Sequence, residues 1–152
     1  HIDHVLGNDE LKALYKVPLK IPENEKEVFG SVPAYAPQWG MAGYRHAEVD
    51  EYLKEGDILS LDEVEMQLIE VPGHSPGHLI FYIKEEKLMI GGDVLFRESI
   101  GRTDLPGGNH DDLLKNIQEK VYTLPEDVQV LPGHGPATTI GHEKLHNPFV
   151  KG

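Results

Sequence analysis

Val71-Pro72-Gly73-His74-Ser75-Pro76-Gly77-His78 sets two histidines into a loop made largely of proline and glycine. The same grammar returns at Leu131-Pro132-Gly133-His134-Gly135-Pro136, and Gly91-Gly92-Asp93 stands between the two. The chain itself opens on His1-Ile2-Asp3-His4. The three later stretches lie where an apolar run gives way to Gly and Pro, so a strand ends and a turn presents a polar side chain. Rigid scaffolds commonly carry their chemistry at such places. Neutral imidazoles and carboxylates are the donors of a catalytic metal site that keeps a position open for water. One histidine in a Gly/Pro turn reads by default as a satisfied surface residue. Taken together, the four segments make a metal site the better reading.

The flanking pattern supports a mixed fold. Val64, Met66 and Leu68 alternate with polar residues, as in a half-buried strand. Leu79–Ile83 and Leu88–Ile90 are apolar runs joined by Lys84-Glu85-Glu86-Lys87, which predicts a hairpin buried on both faces. Leu113, Leu114, Ile117 and Val121 recur at helical spacing after a capping candidate at Asn109 or Asp111. Val128–Leu131 predicts a last strand, and Thr139–Leu145 a last helix stopped by Pro148. Nearer the start, Asn8–Tyr15 predicts a helix capped by Asn8, and Val17–Ile21 a strand. Pro22–Ala47 opens on an acidic piece with helical character, Glu23–Glu27 reading as a solvated helix face, and with its scattered Pro and Gly reads overall as a long loop or lid.

Composition narrows the function. The chain has 152 residues, 39% of them hydrophobic, which predicts one domain over residues 1–152. A net charge of −12 argues against a nucleic-acid groove. No apolar run approaches the roughly 18 residues of a membrane span. The absence of cysteine excludes disulfides and thiolate zinc sites, and fits a cytoplasmic location.

In this order, His1-Ile2-Asp3-His4, His74, Asp93 and His134 resemble the ligand segments of the metallo-β-lactamase superfamily, and within it the glyoxalase II group of thioester hydrolases. Gly101-Arg102-Thr103-Asp104-Leu105-Pro106-Gly107-Gly108 resembles a short bacterial glyoxalase II-like branch. So does the tail Thr138-Thr139-Ile140-Gly141-His142-Glu143 with Asn147-Pro148-Phe149. The resemblance implies an α+β fold, the four-layer αββα sandwich. Here it is expected to lack its N-terminal strands, because the family's His-x-His-x-Asp-His run would begin two positions before His1. It implies two divalent metal ions, zinc first, with iron or manganese as alternatives. His1 and His74 would hold one ion together with the upstream histidine. Asp3, His4 and His134 would hold the other, and Asp93 would bridge them. In an extended segment, the paired histidines point the same way and Asp3-His4 turns toward the second ion.

A metal-bridging hydroxide would then attack a thioester such as an acylated glutathione, with Asp3 and Asp93 the catalytic carboxylates. His78 reads as support behind the ligands, fixing the His74 loop or a ligand carboxylate. Arg102 and Asp104 lie on a loop that faces the substrate opening in relatives, where Arg102 would meet a substrate carboxylate; a plain surface ion pair is the equal reading. The rival chemistry on this scaffold is a persulfide dioxygenase with one iron held by two histidines and a carboxylate. The Asp93 motif disfavours a β-lactamase, and the acidic charge a ribonuclease. A chain without its leading strands is also expected to expose sheet edge, which makes an impaired, oligomerising fragment or a homodimer an expectation.

Overall fold

In the computed structural model, which describes residues 1–152, His1–Leu53 form one unit and Lys54–Gly152 another. The first unit begins with helices α1 (Ile2–Val5) and α2 (Asn8–Tyr15), then strand β1 (Lys20–Pro22). Helix α3 (Lys26–Tyr35) follows a 3-10 turn and runs into another, Ala36–Trp39, before strand β2 (Glu51–Leu53). β1 and β2 pair in parallel, with Lys20 opposite Glu51 and their charges 2.6 Å apart. The Asp50 carboxylate fastens their entry, accepting from Leu19 N–H at 2.7 Å and pairing with Lys12 Nζ at 2.6 Å. Its hydrogen bonds to Lys12 and to that backbone amide hold it below the usual carboxylate range.

Four local expectations change in this unit. Pro22–Ala47 is mostly helical rather than a long loop. Phe29, Val32 and Ala36 recur at helical spacing and are buried, and that burial outweighs the donor lost at Pro33. The cap of α2 is Gly7, not Asn8, and the helix buries no residue, leaving Leu11, Leu14 and Tyr15 exposed. The predicted strand over Val17–Ile21 shortens to Lys20–Pro22. His1-Ile2-Asp3-His4 is a helical turn rather than extended, with His4 N–H donating to His1 O at 3.1 Å. Ile2 anchors that turn against Val32 and Ala36, with Tyr35 and Tyr44 packed alongside.

The second unit is a six-stranded sheet with helices on one face. Its strands are β3 (Ile58–Leu61), β4 (Val64–Glu70), β5 (Leu79–Ile83), β6 (Leu88–Gly92), β9 (Gln129–Pro132) and β10 (Thr138–Thr139). The small hairpin of β7 (Leu95–Phe96) and β8 (Ser99–Ile100) stands apart from that sheet. The spatial order is β10-β9-β6-β5-β4-β3, and every neighbouring pair is antiparallel except β6 with β9. β4, β6 and β9 therefore run the same way and end on the same edge.

Register places Gln67, Tyr82, Met89, Val130 and Thr138 in one row across the sheet. Tyr82, Met89 and Val130 pack with Ile80 against helix α4 (His110–Asn116), its π-helical continuation Ile117–Val121, and helix α5 (Ile140–His146). Leu113, Ile117, Val121 and Ile140 supply the helical side of this core and have no exposed surface. Asn109 caps α4 by accepting from Asp112 N–H at 3.2 Å, and Thr139 caps α5 by accepting from His142 N–H at 3.1 Å. The β5–β6 hairpin forms as expected, but only β5 is largely buried on both faces; Ile90 of β6 is 41% exposed. No helix is long and apolar enough to cross a membrane.

Candidate metal centre

His74, Asp93 and His134 follow the ends of β4, β6 and β9, and the shared direction of those strands brings them to one sheet edge. Each loop is fastened by backbone. Val71 N–H donates to His78 O at 2.7 Å, closing the turn that carries His74. The Asn109 amide, at the start of α4, donates to Gly73 O at 2.7 Å. Gly73 has φ 136, and a Cβ there would meet Leu113 N at 2.4 Å, so only glycine lets α4 approach this closely. On the far side, Gly133 N–H donates to Gly92 O at 2.7 Å, tying the His134 loop to the residue before Asp93.

Two of the three side chains point their Nε2 atoms at the third. His74 Nε2 and His134 Nε2 each lie 3.6 Å from Asp93 Oδ2. That separation exceeds a good hydrogen bond. It suits donors around one cation: ligands at about 2.0–2.2 Å in tetrahedral array stand roughly 3.3–3.6 Å apart. His74 is further prepared, because its Nδ1 lies 2.8 Å from Arg102 O. A carbonyl only accepts, so Nδ1 carries the proton and Nε2 offers its lone pair. The donor set and its tautomer fit a divalent metal. His74 and Asp93 are buried, whereas the His134 side chain is 57% exposed, so approach is open on the His134 side. Phe96 flanks His134 edge-on, with centroids 6.2 Å apart.

His78 touches the backbone of Asp93. Asp93 N–H donates to His78 Nε2 at 3.0 Å, so His78 keeps its proton on Nδ1. Gly92, at φ 48, makes room for that ring; a Cβ there would lie 2.6 Å from it. Arg102 and Asp104 form a bidentate pair, both contacts 2.7 Å, at the surface. The Arg102 hydrogen bond holds the Asp104 carboxyl down to about 2.

In the other unit, His1, Asp3 and His4 share the first helical turn. Asp3 and His4 side chains are partly exposed, with His4 Nε2 3.4 Å from Asp3 Oδ2. Burial, and then the Asp3 charge, push the Tyr35 phenol up.

One contributor escaped the sequence reading: the Arg102 carbonyl, which no side-chain pattern reveals. Glu143, quoted above only as part of the tail resemblance, is a carboxylate with no exposed surface.

Comparison with known proteins places this geometry in context. The family model described as the metallo-beta-lactamase superfamily matches residues 1–134. A hydroxyacylglutathione hydrolase, GloC, of Haemophilus influenzae (strain ATCC 51907 / DSM 11121 / KW20 / Rd) is 39% identical over 152 residues, covering 99% of this chain and 72% of GloC. Among solved structures, TTHA1623 in a di-iron-bound form superposes with a TM-score of 0.88 at 35% identity, covering 99% of this chain and 73% of that one. The BLEG-1 B3 metallo-beta-lactamase superposes with a TM-score of 0.84 at 36% identity, covering 100% and 74%.

Proposed function

The chain belongs to the metallo-beta-lactamase superfamily, and from that membership we propose a metal-dependent hydrolase that cleaves a thioester of the hydroxyacylglutathione class. The observation that carries the metal part is the convergence of His74 Nε2 and His134 Nε2 on Asp93 Oδ2. The 39% identity to GloC supports the substrate class. His74, Asp93 and His134 are the proposed ligands in the second unit; His1, Asp3 and His4 are proposed as ligands on the sequence resemblance alone. Zinc is the proposed ion, and the di-iron-bound TTHA1623 makes iron its rival. A divalent ion in such a donor set lowers the pKa of water toward about 7 and polarises a carbonyl.

The chain's own residues do the positioning. The Arg102 carbonyl fixes the His74 tautomer, and His78 fixes the Asp93 backbone. Asp93 brings the negative charge that a cation requires at the buried end of the site. The Arg102 guanidinium is matched to Asp104, so a substrate carboxylate would have to compete with that pair.

A second reading, hydrolysis of a β-lactam amide, is favoured by the likeness to BLEG-1. One experiment separates them: the zinc-loaded and iron-loaded chain is assayed against a 2-hydroxyacyl glutathione thioester, by thiol release, and against a β-lactam. Thioester cleavage abolished by His74→Ala and His134→Ala supports the proposal. Turnover of the β-lactam alone refutes it.

A further inference from the structure

The loop from Asp93 to the carbonyl that holds His74 passes through a hairpin whose tip is fastened away from the metal ligands. β7 and β8 join across Arg97-Glu98, and Glu98 sits at φ 55, a left-handed conformation that disfavours a residue with a Cβ. Its N–H donates to Glu143 Oε2 at 2.9 Å. The other Glu143 oxygen accepts from Thr138 Oγ1 at 2.5 Å, and Asn147 Nδ2 donates to Oε2 at 2.9 Å. The same Asn147 nitrogen donates to Ser99 O at 3.0 Å, gripping the second strand of the hairpin. Asn147 Oδ1 accepts from Phe149 N–H and Val150 N–H, which ties the chain's last residues into the cluster. Glu143 and Asn147 have no exposed surface, and a carboxylate is tolerated there because donors fill its oxygens. The superfamily match ends at residue 134, so Thr138, Glu143 and Asn147 all lie beyond it.

We propose that Glu143 and Asn147 are positioning residues, a latch on the Arg97-Glu98 hairpin that sets where Asp93 and His74 stand. Past β8, Gly101 N–H donates to Val94 O at 3.2 Å, and Arg102 O takes the His74 Nδ1 proton at 2.8 Å. There is no slack between: a Cβ on Gly101 would lie 1.9 Å from Asp93 O. A hairpin that shifts therefore carries Asp93 and His74 with it. The inference rests on reading those two residues as metal ligands.

Glu143→Met keeps the side-chain length and removes both acceptors. Glu143→Gln keeps an oxygen for Glu98 and Asn147 and turns its amide nitrogen to the Thr138 hydroxyl, which can accept. In chelator competition, E143M is expected to bind zinc about tenfold more weakly, with E143Q rescuing most of the loss. On metal-free protein, the His74 Nδ1–H resonance should shift or broaden in E143M and not in E143Q. A folded E143M with wild-type zinc affinity and an unmoved His74 resonance overturns the latch. Should E143M fail to fold, hydrogen exchange on the wild type decides: Glu98 N–H, Gly101 N–H and His74 Nδ1–H should open in one event, and independent exchange of His74 overturns the proposal. A wild-type chain that binds no zinc refutes the metal reading instead, while the metal-free resonance still judges the latch.

Discussion

Gly92→Ala combines backbone strain with crowding of the support behind Asp93, and its neighbour Gly91→Ala, which has neither the positive φ nor the His78 contact, is the comparison. At Gly92 the backbone has φ 48, a conformation that costs an L-residue about 1–2 kcal/mol. The new methyl would also lie 2.6 Å from the His78 ring, which packs against the loop and cannot keep its place. Moving that ring breaks the 3.0 Å bond from Asp93 N–H and leaves a donor unmatched, worth about 1–3 kcal/mol. The sum is roughly 3 kcal/mol, or roughly 6–12 °C in unfolding temperature for a chain of this size. At Gly91 a Cβ meets the flexible Met89 Cε at 3.1 Å and Val130 Cγ1 at 3.4 Å, with no left-handed backbone, so the cost should stay near the low end, about 1 kcal/mol, of core overpacking. Thermal unfolding of the chelator-treated protein by circular dichroism measures both without metal linkage. Metal affinity, measured separately, should fall by about 10–100-fold in G92A. Equal melting temperatures for the two variants would refute the reasoning, because the positive φ and the His78 contact at Gly92 together set them apart.

Three further outcomes follow from the same geometry. Arg102→Ala removes the ion pair with Asp104 but leaves the carbonyl that holds His74, so metal content should be unchanged; metal loss would mean that the side chain, not the backbone, orders the site. The Asp104 carboxyl, held down by its Arg102 hydrogen bond, should titrate near 2 by carbon NMR. The stabilisation from this pair is complete above the ordinary Asp range and lost only as pH falls through about 2, and a midpoint near the ordinary value would show the pair open in solution. Gly73→Ala should lower the unfolding temperature more than Gly135→Ala. Both glycines have positive φ, but a Cβ at Gly73 strikes the backbone of Leu113, whereas one at Gly135 meets nothing within 4 Å.

The strand-end loops were legible because Gly and Pro punctuate apolar runs, and because the four His/Asp segments, each ambiguous alone, read together as one site. The β4, β5 and β6 pattern and the Asn109 cap were legible for similar local reasons. The helical stretch from Lys26 to Trp39 was not, because Gly30, Pro33 and Pro37 punctuate it as if it were a loop. The acidic start suggests a helix, but its extent to Trp39 shows only in the burial of Phe29, Val32 and Ala36. Apolar spacing on α2 misled in the opposite sense, since Leu11 and Leu14 stay exposed. The tail motif names Glu143 but not its partners; Thr138, Glu98 and Asn147, distant by 5, 45 and 4 positions, are seen to fill its oxygens only in the fold.

The two Pro-Gly-His turns look interchangeable as sequence, yet they are held differently. In the first, Gly73 takes the unusual backbone angle and the tight fit against α4. In the second, the positive angle falls on Gly135, after the histidine, while Gly133 contributes its N–H to Gly92 O. Asp93 is gripped through its own amide by His78, and His74 through the carbonyl of Arg102. His74 and the His134 loop are thus placed by main-chain groups of neighbouring loops, and Asp93 by the His78 ring. Backbone hydrogen bonds of this kind persist when an outer side chain is replaced and fail when the backbone itself is forced to move. Gly73 and Gly92, where a Cβ would strike the Leu113 backbone and the His78 ring, are therefore the sensitive glycines of this site.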